Sequence, residues 1–550
     1  MTTVDAPASR NRLLFVGCFL ALIATAFGFI VRAMLIDTWG EQFNLSETQK
    51  GEILGVGLWP FAISIVLFSL VIDRIGYGRA MVFAFACHVT SAVVTIFAKG
   101  YWGLWIGTFI VALGNGTVEA VINPVVTTMF RHDKTKWLNM LHAGWPGGLV
   151  LGGLLAVSMG EADWRLKVAL LLIPTVLYAL LLLPCRFPVQ ERVAAGVSYR
   201  DMLRETGGLG MLVVLLLVFL ELGRVCGVPS KYSVAAAGIA ALAFTFAVFS
   251  LGRLMFVFLL LLMIPLATTE LGVDSWSTSL MTGEMHQLGL NPVYVLLYTS
   301  FIMMVLRLFA GPIVHRLSPL GLLATCSGIA AVGLFALSHV TGSLIFVAAT
   351  LYGVGKSFFW PTMLGVVAER FPKGGALTLN ATGGVGMLGV GVVGAVFLGY
   401  FQDTKTVEQL RKEQPAIEMQ VVRPKEWIFG QYDAVQPEAL PKLTPEQQAS
   451  VKSIQAQAQK SALQEAALFP VLMLVCYGGL LLLFRARGGY RAEQLDAQAQ
   501  PTVQATGSPT GQPTAPTAGP PTGQPKVPPQ PSPKTPPQTP PTGPPKGPAS

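Results

Sequence analysis

Six charged side chains stand inside runs that are otherwise apolar: Arg32, Glu119, Glu270, Asp274, Arg307 and Lys356, with His142 nearby. A charge at the bilayer centre costs about 2.5 kcal/mol or more, so such residues face a cavity or pair with one another. Glu119 lies in "GTVEAVINPVV" (Gly116–Val126). Burial disfavours a carboxylate and a neighbouring cation favours it. A carboxyl poised between the two can take and release a proton as a cavity opens to either side. The alternative is a fixed ion pair with Arg32. Arg32 cannot itself carry the proton, because a guanidinium stays charged. It is either that partner or a donor to substrate oxygens, and the second role points to an anionic solute such as a sugar acid. Glu270 and Asp274, four apart in "ATTELGVDSW", share a helix face. They repel unless one is protonated or a cation joins them, and Lys356 in "GVGKSFFWP" is the candidate cation. Asp274 at the outer mouth is the alternative. His142 titrates near neutrality. It either passes a proton to Glu119 or sits at a cytoplasmic mouth.

Trp145, Trp276, Phe359 and Trp360 offer flat faces that could stack on the apolar face of a sugar ring; aromatic residues are also common in packing and at membrane interfaces. Asn123 and Asn380 can bond hydroxyls, although Asn123-Pro124 is equally a structural kink. "GGVGMLGVGVVG" (Gly383–Gly394) lacks the Lys-Ser or Lys-Thr of a phosphate loop and reads as close helix packing.

The elements that must position these groups are helices in lipid. The 550-residue chain is 52% hydrophobic, only 12% charged, and has a mean hydropathy of +0.57. A stretch of about 20 apolar residues spans a bilayer core, and only a helix or a closed barrel satisfies its own backbone there. Period-2 alternation is absent, which argues against a barrel. The apolar runs fall at 13–35, 52–72, 80–98, 102–126, 140–160 and 166–184, then 209–226 and 234–251. Six more follow at 254–275, 293–313, 319–338, 343–366, 376–400 and 467–485. The pattern is six, two, six. The fold class is therefore an all-α membrane protein with two six-helix bundles and two extra spans between them; either middle run could instead lie at the interface.

Lysine and arginine gather in alternate short loops: Arg74 and Arg79; Arg131, Lys134 and Lys136; Arg186, Arg192, Arg200 and Arg204; Arg316; Arg370 and Lys373. This places those loops and both termini in the cytoplasm and the chain in the inner membrane. The net charge of +9 then reports orientation, not a nucleic-acid partner. The expected organisation is an N-terminus at 1–12 and a first bundle at 13–184. A link with the two extra spans follows at 185–253, then a second bundle at 254–487 with an extracytoplasmic loop at 402–466. That loop reads as an inert solvated insertion, with a lid or partner site as the alternative; the stretch after "TPEQ" continues into the last span as helix. Residues 488–550, rich in Pro, Thr and Gln, read as a disordered tail with polyproline II character. Its alternative is a ligand for a proline-recognition domain. The six cysteines are scattered, which suggests neither a metal site nor a disulfide framework. No cofactor is implied.

The two halves echo each other. "FSLVIDRIGYGRAM" (Phe68–Met81) follows the second run, and "RLFAGPIVHRLSPLGLL" (Arg307–Leu323) follows its counterpart. The first resembles the loop motif of the major facilitator superfamily, roughly G-x-L-x-D-R-x-G-R-R. Asp73, Arg74, Gly76 and Arg79 match it, Ser69 replaces its first glycine, and the arginine pair is incomplete. Arg307 and Gly311, with Arg316 beyond, match the second-half form. These seven residues are expected to form gating turns that break and re-form as two bundles rock.

A narrower resemblance is to the fucose/glucose/galactose:proton symporters. Glu119, Asn123, Pro124, Leu138, Asn139, Pro146, Gly148, Trp360, Pro361 and Thr362 occupy that family's positions. Arg32-Ala33 stands where the family has Asn-Asp, His142 where it has Gln, and Trp145 where it has Asn. The resemblance implies coupled transport with a proton role for Glu119, and the chemistry of His142 and Glu270 adds them as proton-coupling candidates. Substrate binding is expected at Arg32, Glu119, Asn123, His142, Trp145, Glu270, Asp274, Lys356, Trp360 and Asn380. The expected function is secondary transport of a small polar solute, a sugar, with a proton, by a monomer in the lipid bilayer. Alternatives are a proton-independent facilitator, a carrier of an anionic solute, and a non-transporting receptor or assembly factor. No Walker, HExxH or GxSxG motif supports an ATPase or a membrane enzyme.

Overall fold

The computed structural model describes residues 8–274, 285, 289–427 and 430–495. Among them, thirteen helices are long and apolar enough to span a bilayer, and a helix pair bent by 70° makes a fourteenth. In chain order they are α1 (Asn11–Phe43), α2 (Thr48–Ile75), α3 (Tyr77–Ile96), α4 (Tyr101–Met129), α5 (Lys134–Ser158) and α6 (Trp164–Leu182). Then come α7 (Tyr199–Val225) and α8 (Ser230–Val248). The last six are α9 (Leu254–Gly272), the bent α10 (Val293–Leu308 with Ala310–Leu317), α11 (Pro319–His339), α12 (Leu344–Arg370), α13 (Pro372–Glu413) and α14 (Pro445–Ala486). The six-two-six spacing of apolar runs is thus the spacing of the helices. Trp276 and the tail from residue 496 lie outside the described residues.

The two bundles meet along two seams. On one, α2 packs against α13; on the other, α5 packs against α10 and α12. Small residues make the seams tight. A Cβ added at Gly365 of α12 would overlap the Thr135 side chain of α5, so only glycine lets these helices approach so closely. The glycine run of α13 is likewise a packing surface: added Cβ atoms would meet Val66 from Gly384, and Met263 and Trp360 from Gly386.

The extra pair α7 and α8 forms a helical hairpin whose α7 rests on α9 and α13. At its base, Gly207 (φ 60°) and Gly252 (φ 91°) pass backbone against backbone. The described residues of the 402–466 loop, expected as a solvated polar insertion with a helical end, carry secondary structure and a core of their own. They contain a helix (Pro415–Val421), an antiparallel pair β1 (Val422–Trp427) and β2 (Gly430–Val435), and the helical start of α14. Leu410, Ile417, Val421, Leu443, Val451 and Ile454 form a small core of their own. These apolar residues are scattered among Gln and Glu, so average polarity concealed a core that helix periodicity assembles.

The loops rich in lysine and arginine gather at one end, here termed the basic end. There Asp73 pairs with Arg192 of the link, Gly76 (φ 83°) makes the turn between α2 and α3, and Arg74 lies 5.3 Å from the Tyr199 ring. Arg79 and Arg316 are exposed. The corresponding turn in the second half departs from expectation. It falls at Ser318 (φ 59°), one helix beyond Arg307, because the chain bends at Phe309 and re-enters a helix at Ala310–Leu317. Gly311 sits in that short helix against Lys136.

Candidate functional site

Glu119 is buried in α4, and its Oε2 accepts from the Asn123 amide, one turn on, at 2.5 Å. The Asn123 carbonyl oxygen lies 2.9 Å from Nε2 of His142, in α5. One amide cannot donate to a carboxylate and also donate to an imidazole through its oxygen, so His142 donates here and carries its proton on Nε2. His142 Nε2 is 3.9 Å from Glu119 Oε2. The carboxyl, amide and imidazole form one chain between α4 and α5. His142 is 2% exposed, which places it in the interior and not at a mouth.

Facing this chain is Arg307, fully buried at the end of the first half of α10. The loop motif had placed it in a gating turn; the bend after it carries that turn away and leaves Arg307 in the centre. Its Nη2 donates to Glu270 Oε1 at 2.8 Å, its Nη1 to the His142 carbonyl at 3.0 Å, and its Nε to the Ser357 carbonyl at 2.5 Å. The other Glu270 oxygen accepts from the Trp360 backbone N–H at 3.0 Å. Glu270 is carried on a π-helical turn, Thr268–Gly272. Such turns displace side chains from regular helix register and are frequent at functional sites.

These groups line a cavity of about 30 Å³ between the bundles, walled by Phe61, Glu119, His142, Trp145, Glu270, Leu271, Arg307, Trp360 and Met387. That space holds a water or two, not a sugar, so the bundles are drawn together around the site. Five expected residues converge here: Glu119, His142, Trp145, Glu270 and Trp360, with Asn123 just behind. Sequence reasoning missed Phe61, Leu271 and Met387, which are ordinary members of apolar runs and carry no signal of their own.

The remaining expected residues lie elsewhere. Lys356 pairs with Asp274, not Glu270, and also lies 3.4 Å from the Thr299 hydroxyl. Tyr352 donates to the Thr269 carbonyl at 2.7 Å beside that pair. Arg32 is not the partner of Glu119. It donates to the Gly28 carbonyl and to Ser91 Oγ, both at 2.7 Å, and Ser91 in turn donates to the Gly107 carbonyl at 2.6 Å. Arg32 therefore ties α1 to α3 and α4 inside the first bundle. In the same bundle, His88 bridges Asn115 (2.9 Å) and Tyr178 (3.2 Å). Asn380 of α13 donates to the Ala120 carbonyl of α4 at 3.1 Å, which joins the bundles behind the cavity.

The basic end is sealed by side chains crossing between bundles. Glu369 Oε1 accepts from Thr135 Oγ1 at 2.5 Å, and Lys134 donates to the Ala368 carbonyl at 3.2 Å while pairing with Glu191 at 2.7 Å. The other Glu369 oxygen accepts from Tyr490 at 2.9 Å, and Glu493 pairs with Arg253 and Arg370.

Known proteins agree with this architecture. Residues 14–395 match the family model described as Major Facilitator Superfamily. The structure resembles that of the proton:xylose symporter XylE of E. coli, with a TM-score of 0.57 and 14% identity, covering 86% of this chain and 96% of that one. It also resembles the E. coli fucose:proton symporter FucP (TM-score 0.51, 15% identity, 84% and 98% covered) and the human organic anion transporter MFSD10 (0.54, 13%, 86% and 100%). At such identities the likeness is one of fold. A gentisate transporter of Corynebacterium glutamicum is 24% identical over 181 residues, 32% of this chain and 40% of that relative. Two six-helix bundles around a buried polar site, with a family model matched over more than half of the sequence, settle the class. The chain is a multi-pass membrane protein that belongs to the Major Facilitator Superfamily, whose members are transporters and not enzymes.

Proposed function

We propose that this protein moves a small polar solute together with a proton by alternating access, and that Glu119 carries the proton. The observation that supports this reading most is the Glu119–Asn123–His142 chain at the cavity wall. Glu119 has a neutral amide, not a cation, in direct contact, so protonation leaves no bare countercharge behind. Glu270, by contrast, is tied to Arg307 and the Trp360 amide. Protonating Glu270 would strand a buried guanidinium, so the proton role passes from Glu270 to Glu119 alone, with His142 oriented toward it through Asn123.

The solute class we favour is a sugar, with Trp145 and Trp360 as stacking faces. Arg307 at the same wall favours a second reading, an anionic solute, and the partial likeness to a gentisate transporter points the same way. We place the protein in the cytoplasmic membrane as a monomer, with its basic end inside, on the distribution of lysine and arginine. Counterflow into vesicles preloaded with pooled hexoses, pentoses, sugar acids or hydroxybenzoates separates the classes. Accumulation of label with a neutral sugar pool supports the first reading. Accumulation only with acids supports the second, and none with any pool contradicts transport of either class.

A further inference from the structure

Proline at position i of a helix has no N–H to give, so the carbonyl at i−4 loses its donor. Three prolines stand at the central site: Pro124 in α4, Pro146 in α5 and Pro361 in α12. The carbonyls they release are those of Ala120, His142 and Ser357. All three are taken by side chains of the second bundle. Ala120 accepts from Asn380 at 3.1 Å, His142 from Arg307 Nη1 at 3.0 Å, and Ser357 from Arg307 Nε at 2.5 Å. Two of these bonds, Asn380 to Ala120 and Arg307 to His142, cross from one bundle to the other.

A buried carbonyl without a donor is costly in a membrane interior, where no lipid group replaces it. Each proline therefore does more than bend its helix. Pro124 and Pro146 each prepare an acceptor in the first bundle that the facing bundle supplies with a donor. The Ser357 bond lies within the second bundle and holds the guanidinium in the plane from which it reaches both Glu270 and His142. Glycine and small residues set how near the bundles come; these carbonyls set where they register.

We infer that Pro124 and Pro146 build a two-point lock between the bundles, in which Asn380 and Arg307 are positioning residues that hold the cavity in its closed form. This rests on the alternating-access reading but not on proton coupling or on the solute. When the bundles rock apart, both carbonyls lose their partners together, so the lock makes the switch abrupt. It also leaves two bare acceptors in the opened site, suited to a solute with hydroxyl or amine hydrogens.

The test is a double-mutant cycle on the full chain in lipid, read by the distance distribution between spin labels at the exposed basic-end positions Arg131 and Arg487. Asn380→Leu with Pro124 intact should move the ratio of closed to open forms by about tenfold toward open. In a Pro124→Ala background the helix N–H returns, Ala120 no longer needs Asn380, and the same change should move the ratio by less than about threefold. Equal shifts in both backgrounds, or no shift in either, would overturn the lock. Unfolding of Asn380→Leu alone, rescued by Pro124→Ala, would support it, because only a shared carbonyl links those two residues.

Discussion

At the scale of single residues, the same side-chain type plays different parts according to what faces it. Arg307 and Arg32 are both buried guanidiniums, yet Arg307 touches a carboxylate and the cavity while Arg32 bonds a carbonyl and a serine hydroxyl. Replacing a buried ion pair by apolar residues of similar volume is often neutral or stabilising by about 1–4 kcal/mol, and loss of Arg32, which bonds a carbonyl and a hydroxyl, strands no carboxylate. Arg32→Met should therefore leave the melting temperature unchanged or raise it, and leave KM for the solute within about twofold. A selective rise in KM would return Arg32 to the binding site. The opposite holds for Lys356, whose ammonium faces Asp274. Lys356→Met alone should destabilise by up to about 3–5 kcal/mol, the cost of breaking a fully buried pair, because the half-buried Asp274 carboxylate loses its ammonium, and adding Asp274→Leu should recover most of the loss. Thermal unfolding of the three variants checks this. The intramembrane charges were legible in the sequence because charge in an apolar run is conspicuous. Their pairing was not. Arg307 with Glu270 and Lys356 with Asp274 are contacts between separate helices, and helix period alone tells which face a residue shares, not what that face meets.

At the scale of elements, the sequence showed the helices and their number, since lipid demands about 20 apolar residues for each. It did not show that α10 bends by 70° after Arg307, which moves the turn on to Ser318 and leaves Arg307, expected both inside an apolar run and in a gating motif, at the centre. Nor did it show the small core in residues 402–466, where composition is polar and the apolar residues are few. The glycines were visible, but the reason for each lies in its neighbour. Gly207 adopts φ 60° within α7, and a Cβ there would overlap the Gly252 backbone. Gly207→Ala should therefore destabilise the base of the α7–α8 hairpin by more than the 1–3 kcal/mol of backbone strain alone. Faster proteolysis in the 250–253 segment is the readout. A wild-type digestion pattern would show that the hairpin does not depend on that crossing.

At the scale of the whole molecule, two bundles held together at the basic end surround a cavity too small for a sugar. Thr135 with Glu369 and Lys134 with the Ala368 carbonyl seal that end. Glu369→Ala removes the acceptor shared by Thr135 and Tyr490, and should raise the labelling rate of a cysteine placed at the neighbouring buried Ala368 by a membrane-impermeant reagent. An unchanged rate would mean that glycine packing at Gly365 is enough to close it.

Proton transfer is proposed to run through Glu119. It is tested most directly in vesicles without an ion gradient, by adding a transported solute and following external pH in wild type and in Glu119→Gln. Alkalinisation is expected with the wild type and none with Glu119→Gln, with solute exchange in both, because the amide imitates the protonated carboxyl. Alkalinisation that survives in Glu119→Gln would contradict it and move the proton to another group.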